Sequence, residues 1–230
     1  MKIHGFQSLT LLDYPGKVAC TVFLGGCNFR CPFCQNTGLV LAPEREAVVP
    51  MEEVMGVLRK RRGMLDGVCI TGGEPTLTSD LREFILRVRE LGYLVKLDTN
   101  GYRPEVLENL LAEGLLDYVA MDIKSSPENY ARVAGLPGLD LQRIRHSVEL
   151  LMGAGVDYEF RTTVAQGLHT REDIEAIGRW LQGCRRYFLQ NYRESEQVMM
   201  PVFAGFSREQ LENFRRLLLE YIPQVGIRGV

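Results

Sequence analysis

Three cysteines crowd into one glycine-led loop, Gly25-Gly26-Cys27-Asn28-Phe29-Arg30-Cys31-Pro32-Phe33-Cys34-Gln35-Asn36, with the spacing C-x₃-C-x₂-C. Three thiolates in so short a loop can hold three corners of an iron–sulfur cubane and leave one iron without a protein ligand. An iron with a free coordination position can bind and activate a substrate. The plainer readings are a passive electron-transfer cluster or structural zinc, which is nearly always four-coordinate and needs a further Cys or His. The only histidines are His4, His146 and His169, none at zinc-ligand spacing, so Cys20 or Cys69 would have to complete a zinc site through the fold.

Other polar motifs each follow a short apolar run: Gly72-Gly73-Glu74-Pro75, Asp98-Thr99-Asn100-Gly101, Asp122-Ile123-Lys124, Arg161 and Gln190-Asn191. Taken singly they are ordinary. Gly and Pro mark turns, and an Asp before Thr-Asn-Gly often only starts one. Asp122 and Lys124 could be a solvated rim, and Arg161 a salt-bridge partner. Their common placement is what carries information.

The apolar runs read as six strands, Val18–Leu24, Gly67–Thr71, Leu94–Asp98, Tyr118–Asp122, Tyr158–Thr163 and Tyr187–Gln190. Between them, apolar residues recur at helical spacing: Met51, Val54, Met55 and Leu58; Leu81, Phe84, Ile85 and Val88; Val106, Leu107, Leu110 and Leu111; Leu141, Ile144, Val148 and Leu151. Thr170 with Asp173, and Ser207 with Gln210, read as capping boxes opening the last two helices. About six βα units with right-handed crossovers make a parallel sheet of the α/β class. Six is fewer than the eight of a closed barrel, so the pattern leaves a curved partial barrel and an open doubly wound sheet both standing. In either, the βα loops converge on one rim, and every polar motif above lies there.

The 230 residues suffice for one domain, and no linker divides residues 1–230. A net charge of −2 gives no reason to expect a nucleic-acid surface, and the run Arg59-Lys60-Arg61-Arg62 reads as cations closing a helix. The N-terminus lacks signal-peptide character and no apolar run is long enough to span a membrane, so a cytoplasmic location is expected. There the six cysteines stay reduced, and the isolated Cys20, Cys69 and Cys184 read as core residues.

The cysteine loop after a first strand, with an aromatic before its third cysteine and Gly-Gly-Glu-Pro after a second strand, resembles the radical S-adenosylmethionine (SAM) superfamily. The resemblance implies a partial (βα)₆ TIM-like barrel with its site at the C-terminal strand ends. It also implies a [4Fe–4S] cluster on Cys27, Cys31 and Cys34, and reductive cleavage of SAM bound at the open iron, with Gly72, Gly73 and Glu74 lining its methionine end. Leu12-Asp13-Tyr14-Pro15-Gly16-Lys17, the Asp98 motif, Met121-Asp122-Ile123-Lys124 and Arg161 narrow it to the glycyl-radical-enzyme activases, nearest the activating proteins of anaerobic ribonucleoside-triphosphate reductases in their longer form. This similarity runs from about Gly5 to Tyr192.

By that resemblance Asp98, Lys124 and Arg161 contact SAM, and Asp98, Thr99 and Asp122 hold a monovalent cation beside it. The partner is a glycyl radical enzyme, and a flavodoxin or ferredoxin supplies the electron. Only Cys69 lies between the cysteine loop and Gly72, so no second cluster is expected. The alternative is a radical SAM enzyme with a small-molecule substrate, in deazapurine or cofactor biosynthesis.

Overall fold

Eight strands build one sheet: β1 (Ile3–Thr10), β2 (Ala19–Leu24), β3 (Gly67–Gly72), β4 (Leu94–Thr99), β5 (Tyr118–Asp122), β6 (Asp157–Val164), β7 (Tyr187–Asn191) and β8 (Val225–Arg228). The structure is a computed structural model and describes residues 1–195 and 198–230. Strand order follows chain order, β1 to β8. β1 and β2 are antiparallel and every later pair is parallel. A doubly wound sheet would reverse its strand order at a switch point, so the unreversed order removes that alternative. No pairing joins β1 to β8 among the described residues, which leaves the barrel open and partial.

The six expected strands are β2 to β7. The two flanking strands lie outside that expectation, and each has a local reason. β1 is bulged between Ile3 and Gly5 and between Gln7 and Thr10, which breaks the period-2 pattern. β8 has only four residues, too few for a period to register.

The helices are α1 (Thr37–Leu41), α2 (Met51–Lys60), α3 (Leu81–Glu90), α4 (Pro104–Ala112), α5 (Tyr130–Ala134), α6 (Leu141–Gly153), α7 (Arg171–Trp180) and α8 (Arg208–Leu218). Their buried stripes follow the expected spacing: Val54, Met55 and Leu58 on α2, then Leu81, Phe84, Ile85 and Val88 on α3. Thr170 and Ser207 close reciprocal capping boxes with Asp173 and Gln210. Arg59 and Lys60 sit in the last turn of α2, while Arg61 donates to the Ser8 carbonyl at 2.7 Å. No described helix is long and apolar enough to cross a membrane.

Alternation along the strands sorts the two faces of the sheet. Val68, Ile70, Val95, Leu97, Val119, Met121, Tyr158 and Phe160 join the main core with the helices. The opposite face carries Cys69, Lys96, Asp98, Glu159 and Arg161, with a small separate cluster of Tyr14, Ala19, Tyr118 and Ala120. The barrel lumen is therefore unusually charged, and Lys96 and Glu159 are buried in it. Near one edge, the Arg228 guanidinium pairs with both Glu159 oxygens at 2.5 and 2.8 Å and stacks 3.6 Å from the Phe188 ring centre.

Candidate active site

A cavity of about 420 Å³ opens at the C-terminal ends of the strands, and Cys27, Cys31 and Cys34 all line it. The loop that carries them is held from three sides. On one side, Gly73 and Glu74 donate backbone hydrogen bonds to the Leu24 and Gly26 carbonyls at 2.8 and 2.7 Å. On a second, the Ala134 carbonyl at the end of α5 accepts from Arg30 N–H at 2.9 Å and faces the Cys31 sulfur at 3.6 Å. On the third, Met199 and Met200 donate to the Cys34 and Pro32 carbonyls at 3.1 and 2.9 Å. The loop's aromatics are anchors: Phe29 packs on Tyr102, with ring centres 5.5 Å apart, and Phe33 meets His169 edge-on at 6.4 Å.

These residues fit an iron–sulfur cluster. The donors are soft thiols, suited to iron–sulfur chemistry. Backbone bonds fix the loop that spaces them, and they share one cavity with room for a ligand beside them. A zinc site would need a fourth ligand beside the three thiols, and His169, the histidine that packs on this loop through Phe33, has both ring nitrogens hydrogen-bonded to backbone. Burial pushes the Cys27 thiol up to about 11 and Cys31 up to about 12. Both are protonated at neutral pH when free, so metal loading must release protons.

The two glycines after β3 serve the contact with this loop. A Cβ at Gly72 would lie 2.2 Å from the Leu24 carbonyl oxygen, and one at Gly73 2.0 Å from that of Gly26. Gly72 also has a φ of +125°, which side chains rarely adopt. The Glu74 carboxylate turns inward. It accepts from Thr76 N–H and Oγ1 at 3.0 and 2.5 Å, Thr99 Oγ1 at 2.8 Å and Asn100 N–H at 2.7 Å. Burial, only partly offset by these donors, holds its pKa above the usual value. Glu74 is absent from the cavity wall, while Gly72 and Gly73 form part of it. The glutamate thus braces the Asp98–Gly101 turn instead of presenting its carboxylate to the cavity.

Asp98, Asp122, Lys124 and Arg161 converge, although they come from three strand ends. Arg161 on β6 stands directly opposite Asp122 on β5. Its Nε bonds Asp122 Oδ1 at 2.5 Å, and its Nη2 reaches across β5 to Asp98 Oδ2 at 3.2 Å. Asp98's register partner on the intervening strand is Ala120, whose small side chain leaves that route clear. Lys124 Nζ bonds Asp122 Oδ2 at 2.9 Å. Burial would raise both carboxyl pKa values, but the neighbouring cations overcome it and hold both below the usual range. Burial would likewise lower Lys124, and the charge and hydrogen bond of the Asp122 carboxylate outweigh it.

Thr99, the third residue expected at a cation site, spends its hydroxyl elsewhere, donating to Glu74 and accepting from Gly101 N–H at 3.1 Å. Sequence reasoning passes over Lys96, Thr21 and Thr163. Lys96 bonds the second Asp98 oxygen, and Thr21 donates to Asp13 at 2.5 Å. Thr163 joins the cavity wall with Asp13, Thr21 and Gln190. A signal exists, because Lys96 and Asp98 are two apart on one strand and share a face. Lys96, between Val95 and Leu97, is buried with its ammonium on the lumen face. Cys20, Cys69 and Cys184 are fully buried, as expected for core cysteines, though Cys69 also touches this network.

His169 links the site to the cluster loop. Its Nδ1 accepts from Ala165 N–H at 3.2 Å and its Nε2–H donates to the Lys124 carbonyl at 2.8 Å, an arrangement only the neutral ring can make. Burial holds its pKa below the ordinary histidine value. Its contribution to stability is present above the unfolded histidine pKa and is lost as pH falls through the lowered folded value. The urea midpoint of the cluster-free chain is expected to drop between about pH 7 and pH 5, less steeply in His169→Gln. An equal slope in both proteins would refute this role.

An open parallel barrel with a three-cysteine loop above its strand ends is the architecture of one enzyme class, and residues 21–181 match the Radical SAM superfamily. The chain belongs to that superfamily and is a radical SAM enzyme, which implies a [4Fe–4S] cluster and SAM as cofactors. It is 32% identical, over 99% of its length and 96% of the relative's, to MJ1227 of Methanocaldococcus jannaschii, a protein provisionally named a glycyl-radical enzyme activating enzyme. It is 28% identical to the 7-carboxy-7-deazaguanine synthase of Thermococcus kodakarensis, over 84% of this chain and 81% of that one. Among solved structures, a domain of pyruvate-formate lyase-activating enzyme from Bacteroides vulgatus aligns with a TM-score of 0.57 at 21% identity, over 71% of this chain and 99% of that one. SuiB of Streptococcus suis bound to its precursor peptide aligns at 0.71 and 16% identity, over 91% of this chain and 48% of that one. The chain spans about half of SuiB, and both structural likenesses concern the fold.

Proposed function

We propose that this protein is an activating enzyme that installs a glycyl radical on a partner, and that the partner is an anaerobic ribonucleoside-triphosphate reductase. The observation that carries the activase reading is the end-to-end similarity to MJ1227, which the deazaguanine synthase matches neither in identity nor in coverage. The choice of reductase rests on the motif resemblance around Asp98, Asp122 and Arg161. A flavodoxin or ferredoxin is the proposed electron donor.

In this reading Cys27, Cys31 and Cys34 ligate three irons of the cluster. Gly72 and Gly73 offer backbone to SAM, and Asp98, Lys124 and Arg161 line the space for its charged groups. Bound there, the cluster and SAM supply reductive cleavage of a sulfonium C–S bond and abstraction of one hydrogen atom from a glycine Cα. The chain's own task is positional. Arg161 ties β4, β5 and β6 together at their ends, and the clamped loop fixes the cluster against them. Preorganisation of this kind avoids rearrangement during reaction.

The test is anaerobic incubation of the reconstituted, reduced enzyme with SAM and an anaerobic ribonucleotide reductase. A glycyl doublet in electron paramagnetic resonance is expected, lost when the partner's glycine becomes alanine. SAM cleavage without that doublet, across a panel of glycyl radical enzymes, would overturn the activase reading and favour a small-molecule substrate.

A further inference from the structure

The resemblance that implied a monovalent cation at Asp98, Thr99 and Asp122 meets a donor set that is already spent. Asp98 Oδ1 is bonded by Lys96 Nζ and Asp98 Oδ2 by Arg161. Asp122 Oδ1 is bonded by Arg161 and Oδ2 by Lys124. All four carboxylate oxygens thus face a fixed protein cation, and the Thr99 hydroxyl is committed to Glu74. Three side-chain cations serve two carboxylates. A free cation entering this group would displace one of them or crowd against all three, and hard oxygen donors are what sodium or potassium requires.

Lys96 is the member of this set that needs explanation. Arg161 and Lys124 both line the cavity, but Lys96 does not; it lies below, in the lumen. Its side chain is 2% exposed. Its neighbours across the sheet are Cys69 on β3 and Tyr118 on β5, neither a charged partner at neutral pH. The Cys69 sulfur is 3.7 Å from its nitrogen, and the Tyr118 ring centre is 5.9 Å away. Two further acids of the region are engaged elsewhere: Glu159 by Arg228 and by the Tyr118 hydroxyl at 2.8 Å, and Asp13 by the Thr21 hydroxyl at 2.5 Å. Among the described residues, the only carboxylate to which Lys96 is bonded is Asp98. A buried ammonium is costly unless paired, so this pairing has to repay the desolvation.

We infer that Lys96 is a built-in substitute for the monovalent cation: its ammonium sits behind Asp98, holds that carboxylate in place at the cavity wall, and makes SAM binding independent of sodium or potassium. Lys96 is a positioning residue that acts through Asp98 and does not touch the ligand. The inference rests on the SAM site proposed above. It also explains the combination of Lys96 on a central apolar strand with Asp98 two residues later. Alternation puts both on the lumen face, with the ammonium reaching up the strand to the carboxylate.

The experiment is SAM affinity by equilibrium dialysis on reconstituted protein, in buffers whose only monovalent cation is sodium, potassium or tetramethylammonium, the last too large for the site. Wild-type affinity is expected to agree within about twofold across the three, since a bound cation linked to SAM would have to change it. Lys96→Met, with iron content checked against wild type, is expected to bind SAM about tenfold more weakly in tetramethylammonium because Asp98 loses a buried partner. It should recover part of that loss in sodium or potassium, which can now reach the vacated Asp98 oxygen. Lys96→Arg should stay closer to wild type.

A wild-type affinity that rises with sodium or potassium would overturn the inference while leaving the SAM site intact. So would a Lys96→Met protein as tight and as cation-blind as wild type. If Lys96→Met cannot be reconstituted, the wild-type cation series still decides. SAM binding in none of the buffers would overturn the site assignment and this inference together.

Discussion

Cys27→Ala, Cys31→Ala and Cys34→Ala are each expected to reconstitute without a stable cluster and to lose 5′-deoxyadenosine formation. Each change removes a ligand that the cluster cannot replace. Structural zinc held by four ligands gains about 10–16 kcal/mol, so one thiolate is worth roughly 3–4 kcal/mol, or about 10²–10³ in affinity. A cubane with only three protein ligands has no spare one, and the backbone bonds that clamp the loop leave little freedom to recruit another. Iron and sulfide analysis after anaerobic reconstitution is the direct measurement. Cys184→Ala is the matched control, being fully buried in the core cluster away from the site. It should keep full iron content and lose on the order of 1 kcal/mol of stability from the small cavity. Cys69→Ala is a poorer control because its sulfur touches Asp98 and Lys96. A Cys31→Ala protein with wild-type iron and deoxyadenosine would end the ligand assignment.

What the sequence makes legible divides along physical lines. Strands β2, β3, β5 and β7 are readable as near-continuous apolar runs ended by glycine or polar residues, the signature of a strand buried on both faces. β4 and β6 instead alternate apolar residues with Lys96, Glu159 and Arg161 on the lumen face. Helices α2 and α3 are readable because one stripe of each packs on the sheet, so their period is undiluted. β1 is hidden by its bulges and β8 by its brevity. Both are edge strands, where one missing neighbour relaxes the demand for pattern.

At the site, the residues are legible as a group, and their partners are not. That Asp98, Asp122, Lys124 and Arg161 share one rim follows from their positions at strand ends. Which oxygen meets which cation depends on register, and register between β5 and β6 sets Asp122 directly against Arg161. The inward turn of Glu74 is likewise out of reach. The resemblance implies that Glu74 lines the methionine end of SAM with Gly72 and Gly73, and its capture by four donors from Thr76, Thr99 and Asn100 is not written in the motif. Thr76 is a local cue, two residues on from Glu74 and able to form a small turn with it. Thr99 and Asn100 lie on the next strand end and come only with the fold.

The contact between the Gly-Gly turn and the cluster loop makes Gly73→Ala the second change of large expected effect. Gly73 carries no unusual backbone angle, so its glycine is not a matter of conformational freedom. Its added Cβ would meet the Gly26 carbonyl oxygen at 2.0 Å, and that atom accepts the Glu74 N–H bond tying the two loops together. The obstacle is backbone, and no rotamer can relieve it. Either the loops part, breaking the bonds from Gly73 and Glu74, or the cluster loop shifts with Cys27 next to Gly26. Overpacking of a tight contact costs about 1–3 kcal/mol or more, and a displacement near 1 Å at a reacting centre costs on the order of 10²-fold in rate. Gly73→Ala is therefore expected to lower deoxyadenosine formation by about 10²-fold while far-ultraviolet circular dichroism stays near wild type. Gly72→Ala should be at least as severe, because a Cβ 2.2 Å from the Leu24 carbonyl is added to a φ of +125°. Gly114→Ala, with positive φ but nothing within 4 Å of its Cβ, separates the two effects: it should cost stability alone and leave SAM cleavage intact. A Gly73→Ala enzyme with wild-type turnover would mean that the two loops do not need this contact, and close approach would no longer explain why two glycines follow β3.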